Sequence, residues 1–147
     1  MLEKYSNIET ILKRIAIFGA LNRSEIEDLL SVMELKEYKE DEVIFKEGSS
    51  PKYINIVIEG KIGLFCGKCQ TKSVTEGNIF GEVALLAILP YGLTAKAMTD
   101  VTLLQLSKMK FHKLSKTDSK LFTKLLLNIT REVCRENHTY EKNFKSI

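Results

Sequence analysis

The chain has 147 residues, of which 44% are hydrophobic and 28% charged, which predicts one folded domain of ordinary size rather than a disordered segment. Its net charge is +3, and the Lys and Arg residues are scattered among Asp and Glu rather than clustered. We therefore expect no direct binding of nucleic acid. The sequence has no apolar run near the roughly 20 residues that span a bilayer, no signal-peptide pattern and only three cysteines, so we expect a cytoplasmic protein that does not enter a membrane.

The first part of the chain, residues 8–38, is predicted to be helical. Apolar residues recur at helical spacing from Ile8 to Ile15. A second helix is predicted near Asn22, which can cap a helix with Glu25 three residues later, and Ser24 with Glu27 repeats that spacing. The buried face of this second helix is predicted to consist of Ile26, Leu29, Leu30 and Met33.

The middle part, residues 42–106, is predicted to be β-structure. Short β-branched or aromatic runs such as "VIF", "YINIVI", "KIGLF" and "TLLQL" alternate with turn residues, and "YINIVIEGKIGLF" reads as two strands joined near Gly60. Many short strands at close spacing indicate a small antiparallel barrel or jelly roll. The segment "GEVALLAI" departs from this pattern because Glu, Ala and Leu favour a short helix between the strands.

The last part, residues 108–145, is predicted to form a short helix in "KMKFHKLSKT" and a long one capped by Thr117 or Asp118. Apolar residues of the long helix lie close to a 3.5-residue period, which Glu136 interrupts: Phe122, Leu126, Ile129, Val133, Tyr140 and Phe144. A narrow apolar seam of this kind predicts a homodimer formed through residues 118–145. The alternative is that the helix packs on its own barrel.

The segment "EGNIFGEVALL" has the features of a small-anion site. Gly81 allows a ligand to approach the backbone closely, and a helix starting after it presents free N–H groups with partial positive charge. Glu82, at the start of this helix, can accept hydrogen bonds from a sugar hydroxyl. On spacing alone, a Gly-Glu pair before a helix is equally an ordinary helix cap.

The order of these elements, with "FGEVALL" inside a barrel and a long helix after it, resembles the cyclic nucleotide-binding domain family over almost the whole chain. "DEVIFKEGSSPKYINIVIEGKIGLF" is similar to the first strands of that family, and "EGNIFGEVALLAILPYGLTAKAMTDVTLLQLSKMKF" to its phosphate-binding cassette and following strands. The resemblance implies a mainly β fold with flanking helices, a double-stranded β-helix or jelly-roll barrel. It also implies a non-catalytic regulatory domain with cAMP or cGMP as the ligand and no required cofactor.

The resemblance also implies roles for residues of the cassette. The backbone at Gly81 and the carboxylate of Glu82 would bind the ribose 2′-hydroxyl, and the N–H groups near Ala84 and Leu85 would bind the cyclic phosphate. Four further residues, which follow the proline, belong to the same predicted ligand site: Tyr91, Gly92, Leu93 and Thr94.

The sequence departs from the family at the residue that would pair with the phosphate. Tyr91 stands where the family usually has an arginine, and Leu93 stands where it usually has an alanine. The loss of a charge-assisted, bidentate contact of that kind commonly costs about 2–5 kcal/mol. The nearest cation in the sequence is Lys96, and the sequence does not decide which face of its strand it occupies.

Two functions remain open at this point. The first is a sensor of a cyclic nucleotide or a related small anion. The second is a degenerate module with a closed pocket, which serves as a dimerisation unit or binds an unidentified protein partner. Because the sequence ends at Ile147, just past the long helix, we expect no DNA-binding domain of its own unless the sequence is part of a longer chain.

The remaining candidate chemistry is limited. Cys66 and Cys69 flank Gly67-Lys68, which predicts a two-residue hairpin with a cross-strand cysteine pair, while a redox pair or half of a zinc knuckle are the alternatives. Zinc would need two more ligands, and Cys134, His112 and His138 do not have knuckle spacing. No nucleophile-base constellation stands out, so we expect neither a metal site nor an enzyme.

Overall fold

The structure is a computed structural model that describes residues 12–145, with side chains to residue 143. A 3₁₀ turn at Ala16–Phe18 precedes helix α1. The strands and helices then follow in this order: α1 (Arg23–Ser31), β1 (Glu34–Tyr38), β2 (Val43–Phe45), β3 (Tyr53–Glu59), β4 (Ile62–Cys66), β5 (Cys69–Val74), β6 (Ile79–Phe80), α2 (Glu82–Ala87), β7 (Thr94–Ala97), β8 (Val101–Ser107), α3 (Lys108–Thr117) and α4 (Ser119–Lys145). The predicted helical pattern at Ile8 and Ile11 lies outside the described residues.

Helix α1 begins at the predicted capping box. Asn22 Oδ1 accepts a hydrogen bond from the Glu25 N–H at 2.8 Å, and Glu25 Oε1 accepts one from the Asn22 N–H at 3.2 Å. The predicted helical zone, however, extends too far. Glu34–Tyr38 is a strand that pairs antiparallel with β8, so a long-range partner overrides the helix preference of "ELKEY".

The strands form the predicted jelly-roll barrel from two antiparallel sheets, with strand orders β1-β8-β3-β6 and β2-β7-β4-β5. Strands β3 and β8 are buried on both faces, which explains their nearly continuous apolar sequences. One face, with Ile54, Ile56 and Leu104, packs against the helices, and the other, with Val57 and Leu103, faces the barrel interior.

Helix α4 packs along the barrel through Leu121, Leu125 and Ile129, each at most 1% exposed. Its cap is Asp118, whose Oδ1 accepts a hydrogen bond from the Leu121 N–H at 3.1 Å. The first four residues of the predicted dimer seam, from Phe122 to Val133, belong to or pack against the chain's own core. This part of the helix therefore packs on its own barrel, which was the alternative to a dimer seam. Dimerisation through residues 118–145 stays a prediction.

Among residues 12–145, no helix is long and apolar enough to cross a membrane. Within the same part of the chain, no group of three or more His, Cys, Asp or Glu side chains is arranged to hold a metal ion.

Candidate functional site

Gly81 connects β6 to α2 in a conformation that requires glycine. Its φ is +81°, and a Cβ atom there would lie 3.0 Å from Asn55 Nδ2 and 3.3 Å from the Tyr53 carbonyl oxygen. The chain therefore crosses directly over β3 before α2 begins. Helix α2 ends at Ala87, and the next residue, Ile88, has a φ of +56°, which is unusual for a β-branched residue.

A buried polar pair supports this crossing from inside the barrel. Gln105 Nε2 donates a hydrogen bond to Asn55 Oδ1 at 2.8 Å, and Asn55 Nδ2 donates one to the Phe80 carbonyl at 3.3 Å. The two residues pair directly across β3 and β8. Sequence reasoning missed this pair, although each of its members is a lone amide inside an apolar strand.

Glu82 is the charged residue of the site, and its side chain is buried, with 4% of the residue exposed. Burial raises the pKa of this carboxyl above its ordinary value, and the negative charge of Glu136 adds to that effect. A hydrogen bond from the backbone N–H of Glu82 and the positive charge of Lys72 lower the same pKa. Glu136 lies on α4 and Lys72 on β5, and these two side chains form an ion pair with each other at 2.9 Å.

Tyr91 is buried beside the cassette rather than exposed at its surface. Its ring stacks face to face on Phe45, with centroids 3.6 Å apart and planes at 6°, and its hydroxyl oxygen accepts a hydrogen bond from the Lys52 N–H at 3.3 Å. Burial raises the pKa of this phenol. Phe45 in turn lies 3.4 Å from the position of a Cβ on Gly81. Tyr91 is therefore part of the aromatic packing next to the cassette.

The other predicted site residues surround this centre to different extents. Leu85 is a core residue, and Ala84 is half-buried on α2. Leu93 is half-buried, whereas Gly92 is exposed. The Thr94 hydroxyl accepts a hydrogen bond from the Glu47 N–H at 3.0 Å, which connects β7 to the loop after β2.

The orientation of Lys96, which the sequence left undecided, is away from the site. Its neighbours Ala95 and Ala97 are fully buried in the barrel core, so the alternation of the strand places Lys96 on the outer face. There its Nζ lies 3.3 Å from Asp41 Oδ1. Lys96 therefore cannot replace the arginine that is absent at position 91.

Comparison with known proteins identifies the fold and the family. The Cyclic nucleotide-binding domain model matches residues 35–118, from β1 to the first residue after α3. The chain belongs to the cyclic nucleotide-binding domain family. This match includes the Gly81-Glu82 crossing, α2 and the segment that contains Tyr91.

Relatives of this cyclic nucleotide-binding domain include regulatory proteins. A cAMP-dependent protein kinase regulatory subunit from Candida albicans is 27% identical over 103 residues, which are 70% of this chain and 22% of that protein. A structure of PKAR CBD2 with Sp-2Cl-cAMPS bound has a TM-score of 0.75 at 26% identity, covering 99% of this chain and 91% of that chain. The fold is also that of a cyclic nucleotide-binding domain from Methylobacillus flagellatus, with a TM-score of 0.82, 21% identity and coverage of 99% and 86%. The chain spans less than a quarter of the length of the first curated relatives that it matches.

The cysteine hairpin of this domain has the predicted geometry. Cys66 and Cys69 pair across β4 and β5, and Gly67 has a φ of +58°, as a two-residue hairpin turn requires. Both thiols are free and exposed, as is that of Cys134. His112 and His138 are also exposed.

Proposed function

We propose that this chain is a non-catalytic regulatory domain that binds a cyclic nucleotide, cAMP or cGMP, at the cassette formed by residues 81–87. The observation that carries this proposal is the buried carboxylate of Glu82, which follows a left-handed Gly81 where the chain crosses β3. A buried carboxylate is costly unless it has a partner. The backbone N–H of Glu82 supplies one hydrogen bond, and a ribose hydroxyl would supply another.

The roles follow from the chemistry of the residues in the cassette. Glu82 accepts a hydrogen bond from the ribose 2′-hydroxyl, and the backbone at Gly81 leaves room for the sugar because it has no Cβ. The N–H groups at Ala84 and Leu85 face the cyclic phosphate. Gly92, Leu93 and Thr94 border the ligand on the side of β7.

Isothermal titration with cAMP and cGMP tests this function. We expect binding to the wild-type protein and a loss of about tenfold to a hundredfold in Glu82→Gln, because a hydrogen bond to a charged group contributes about 1.5–3 kcal/mol. Glu59→Gln is the matched control, since Glu59 is exposed at the end of β3. An absence of binding at millimolar cAMP and cGMP contradicts the proposal for these two nucleotides.

A second function, a degenerate module whose pocket is closed, is favoured by the stacking of Tyr91 on Phe45. Tyr91 occupies the position of the phosphate-binding arginine and is itself 6% exposed. In this case the domain serves as a dimerisation or protein-binding unit.

The variant Tyr91→Arg distinguishes the two functions. If the wild-type protein already binds a nucleotide, the new arginine should tighten binding by about thirtyfold or more, since it adds a charge-assisted contact. If the wild-type protein shows no binding and Tyr91→Arg gains it, the pocket is closed by this residue and the second function is the correct one.

We further propose that the domain forms a homodimer through the outer part of residues 118–145. Tyr140 is 67% exposed on α4, beyond the part of the helix that packs on the barrel. Sedimentation equilibrium should show a dimer that Tyr140→Asp weakens. A monomer at every concentration would exclude this assembly.

A further inference from the structure

The tip of the β4–β5 hairpin carries two thiols on directly opposed residues. Cys66 is the last residue of β4, Cys69 is the first residue of β5, and the two are partners in the antiparallel register. Opposed residues in such a pair have Cα atoms about 4.5 or 5.5 Å apart, and their side chains project from the same face. A disulfide bond needs a Cα separation of about 4.4–6.8 Å. The backbone therefore already holds the two cysteines at a separation that a disulfide can bridge.

The turn keeps the cysteines in this register. Gly67 occupies the first of its two positions with a φ of +58°, a conformation that glycine adopts at little cost. In a hairpin, the length and type of the turn fix which residues are opposed. The irregularity of this ladder lies further along, between Leu64 and Phe65, and does not separate the two cysteines. The pairing of the thiols is thus determined by the four residues of the turn itself.

Both thiols are accessible from solution. Cys66 and Cys69 are free and exposed, and a Cβ atom placed on Gly67 would have no atom within 4 Å. Strand β5 is the edge strand of its sheet, and all of its residues except Val74 are exposed. A small reagent can therefore reach either sulfur atom without any movement of the barrel.

We propose that Cys66 and Cys69 form a reversible oxidation site that reacts with a low-molecular-weight disulfide of the glutathione type. One cysteine, as its thiolate, attacks a sulfur of glutathione disulfide, forms a mixed disulfide and releases one glutathione thiolate. The other cysteine, as its thiolate, attacks the protein sulfur of that mixed disulfide, forms the Cys66–Cys69 bond and releases the second glutathione. The pair gives up two protons and two electrons, which reduce glutathione disulfide to two glutathione thiols. Reduced glutathione reverses both steps.

The opposed position of the second thiol decides the product. Once the first cysteine carries glutathione, the other cysteine is its cross-strand neighbour, so the second step is intramolecular and has a high effective concentration. Cys134 is also exposed, but it lies on α4, outside the hairpin. We expect Cys134 to stop at the mixed disulfide with glutathione. The inference does not depend on whether the cassette binds a nucleotide.

Mass spectrometry of the full chain, equilibrated with reduced and oxidised glutathione and quenched with acid, tests the site. Trypsin cleaves after Lys68, between the two cysteines. Peptide 62–68 then contains Cys66, and peptide 69–72 contains Cys69. We expect these two peptides to be joined by a disulfide in the wild-type protein and to separate after treatment with dithiothreitol. A non-reducing gel should show a monomer, which places the bond within one chain.

The double variant Cys69→Ser/Gln70→Cys is the geometric control. It keeps the number of cysteines but moves one thiol by a single position, opposite Phe65 and on the other face of the hairpin. This variant should carry glutathione on its hairpin cysteines and form at least about tenfold less of the intramolecular disulfide than the wild type, because its two thiols are not opposed. Cys66→Ser should carry one glutathione on Cys69.

Three results would overturn the inference. The first is a wild-type protein with glutathione on Cys66 or Cys69 in place of the bond between them. The second is a bond that appears only in disulfide-linked dimers on the gel. The third is an equal yield of the intramolecular disulfide in the wild type and in the double variant, which would show that the register of the hairpin does not control the reaction.

Discussion

At the scale of single residues, the site combines a buried acid with a buried phenol. Glu82 is buried at the start of α2, where desolvation opposes the charge of its carboxylate. Tyr91 fills the neighbouring space with an aromatic ring and satisfies its hydroxyl with a backbone N–H. The buried carboxylate costs stability in the free protein, whereas the buried phenol contributes to its packing.

Glu82 should make stability depend on pH. Its pKa in the folded protein lies above the ordinary value of 4.5, so the folded state holds this proton more tightly than the unfolded state does. Its contribution to stability is therefore complete below pH 4.5 and is lost as the pH rises through the folded pKa. We expect Glu82→Gln to raise the thermal midpoint at pH 7 and to leave it nearly unchanged at pH 4.

Thermal unfolding of wild type and variant at both pH values measures this effect. The exposed Glu59→Gln control should show no such difference between pH 7 and pH 4. A Glu82→Gln protein that is less stable than the wild type at pH 7 would show that the hydrogen bond from the backbone N–H outweighs the cost of burying the carboxylate.

At the scale of elements, two glycines in turns have nearly the same backbone conformation but different surroundings. Replacing each by alanine therefore distinguishes the cost of a left-handed backbone from the cost of a steric clash. Gly81 and Gly48 have φ values of +81° and +85°. A Cβ on Gly48 would have no atom within 4 Å, whereas a Cβ on Gly81 would press on Asn55 and Tyr53. Gly48→Ala should cost about 1 kcal/mol for the left-handed backbone. Gly81→Ala should cost about 2–4 kcal/mol because overpacking is added.

Urea unfolding of the two alanine variants gives the comparison, and nucleotide titration adds a functional control. Gly81→Ala should also lose nucleotide binding, since α2 must move away from β3, while Gly48→Ala should keep it. Equal destabilisation of the two variants would mean that β3 yields to the added methyl group at little cost.

The elements also show which information is local in this sequence. The capping box of α1, the short helix α2 and the cysteine hairpin were predictable because each depends on residues a few positions apart. Strand β1 was missed because its charged sequence becomes a strand only by pairing with β8, about 70 residues later. The ion pair between Lys72 and Glu136 was missed for the same reason, since its two residues lie far apart in the sequence.

At the scale of the whole molecule, α4 has a fixed half and an exposed half. From Leu121 to Val133 the helix packs on the core, and Lys124 Nζ lies 2.8 Å from Glu25 Oε1 on α1. From Cys134 to residue 143 its side chains are exposed. The inner half of α4 therefore holds the helix on the domain, and the outer half adds little to that packing.

Asn128 connects the fixed half of α4 to the N-terminal segment. Its side-chain amide donates hydrogen bonds to the carbonyl oxygens of Ile17, at 2.9 Å, and Gly19. Asn128→Leu should reduce the free energy of unfolding by about 1–3 kcal/mol, because it leaves these two acceptors without that donor. Urea unfolding measures the loss.

Asn137→Leu is the same substitution on the exposed half of α4, where the amide donates to Glu141 at 3.3 Å. We expect a change within about 0.5 kcal/mol there, since the side chain remains in contact with water. If both leucine variants lose the same stability, the outer half of α4 contributes as much to the stability of the domain as the inner half. A large loss in Asn128→Leu alone means that the inner half of α4, which packs on the core and bonds to the N-terminal segment, holds the helix on the domain.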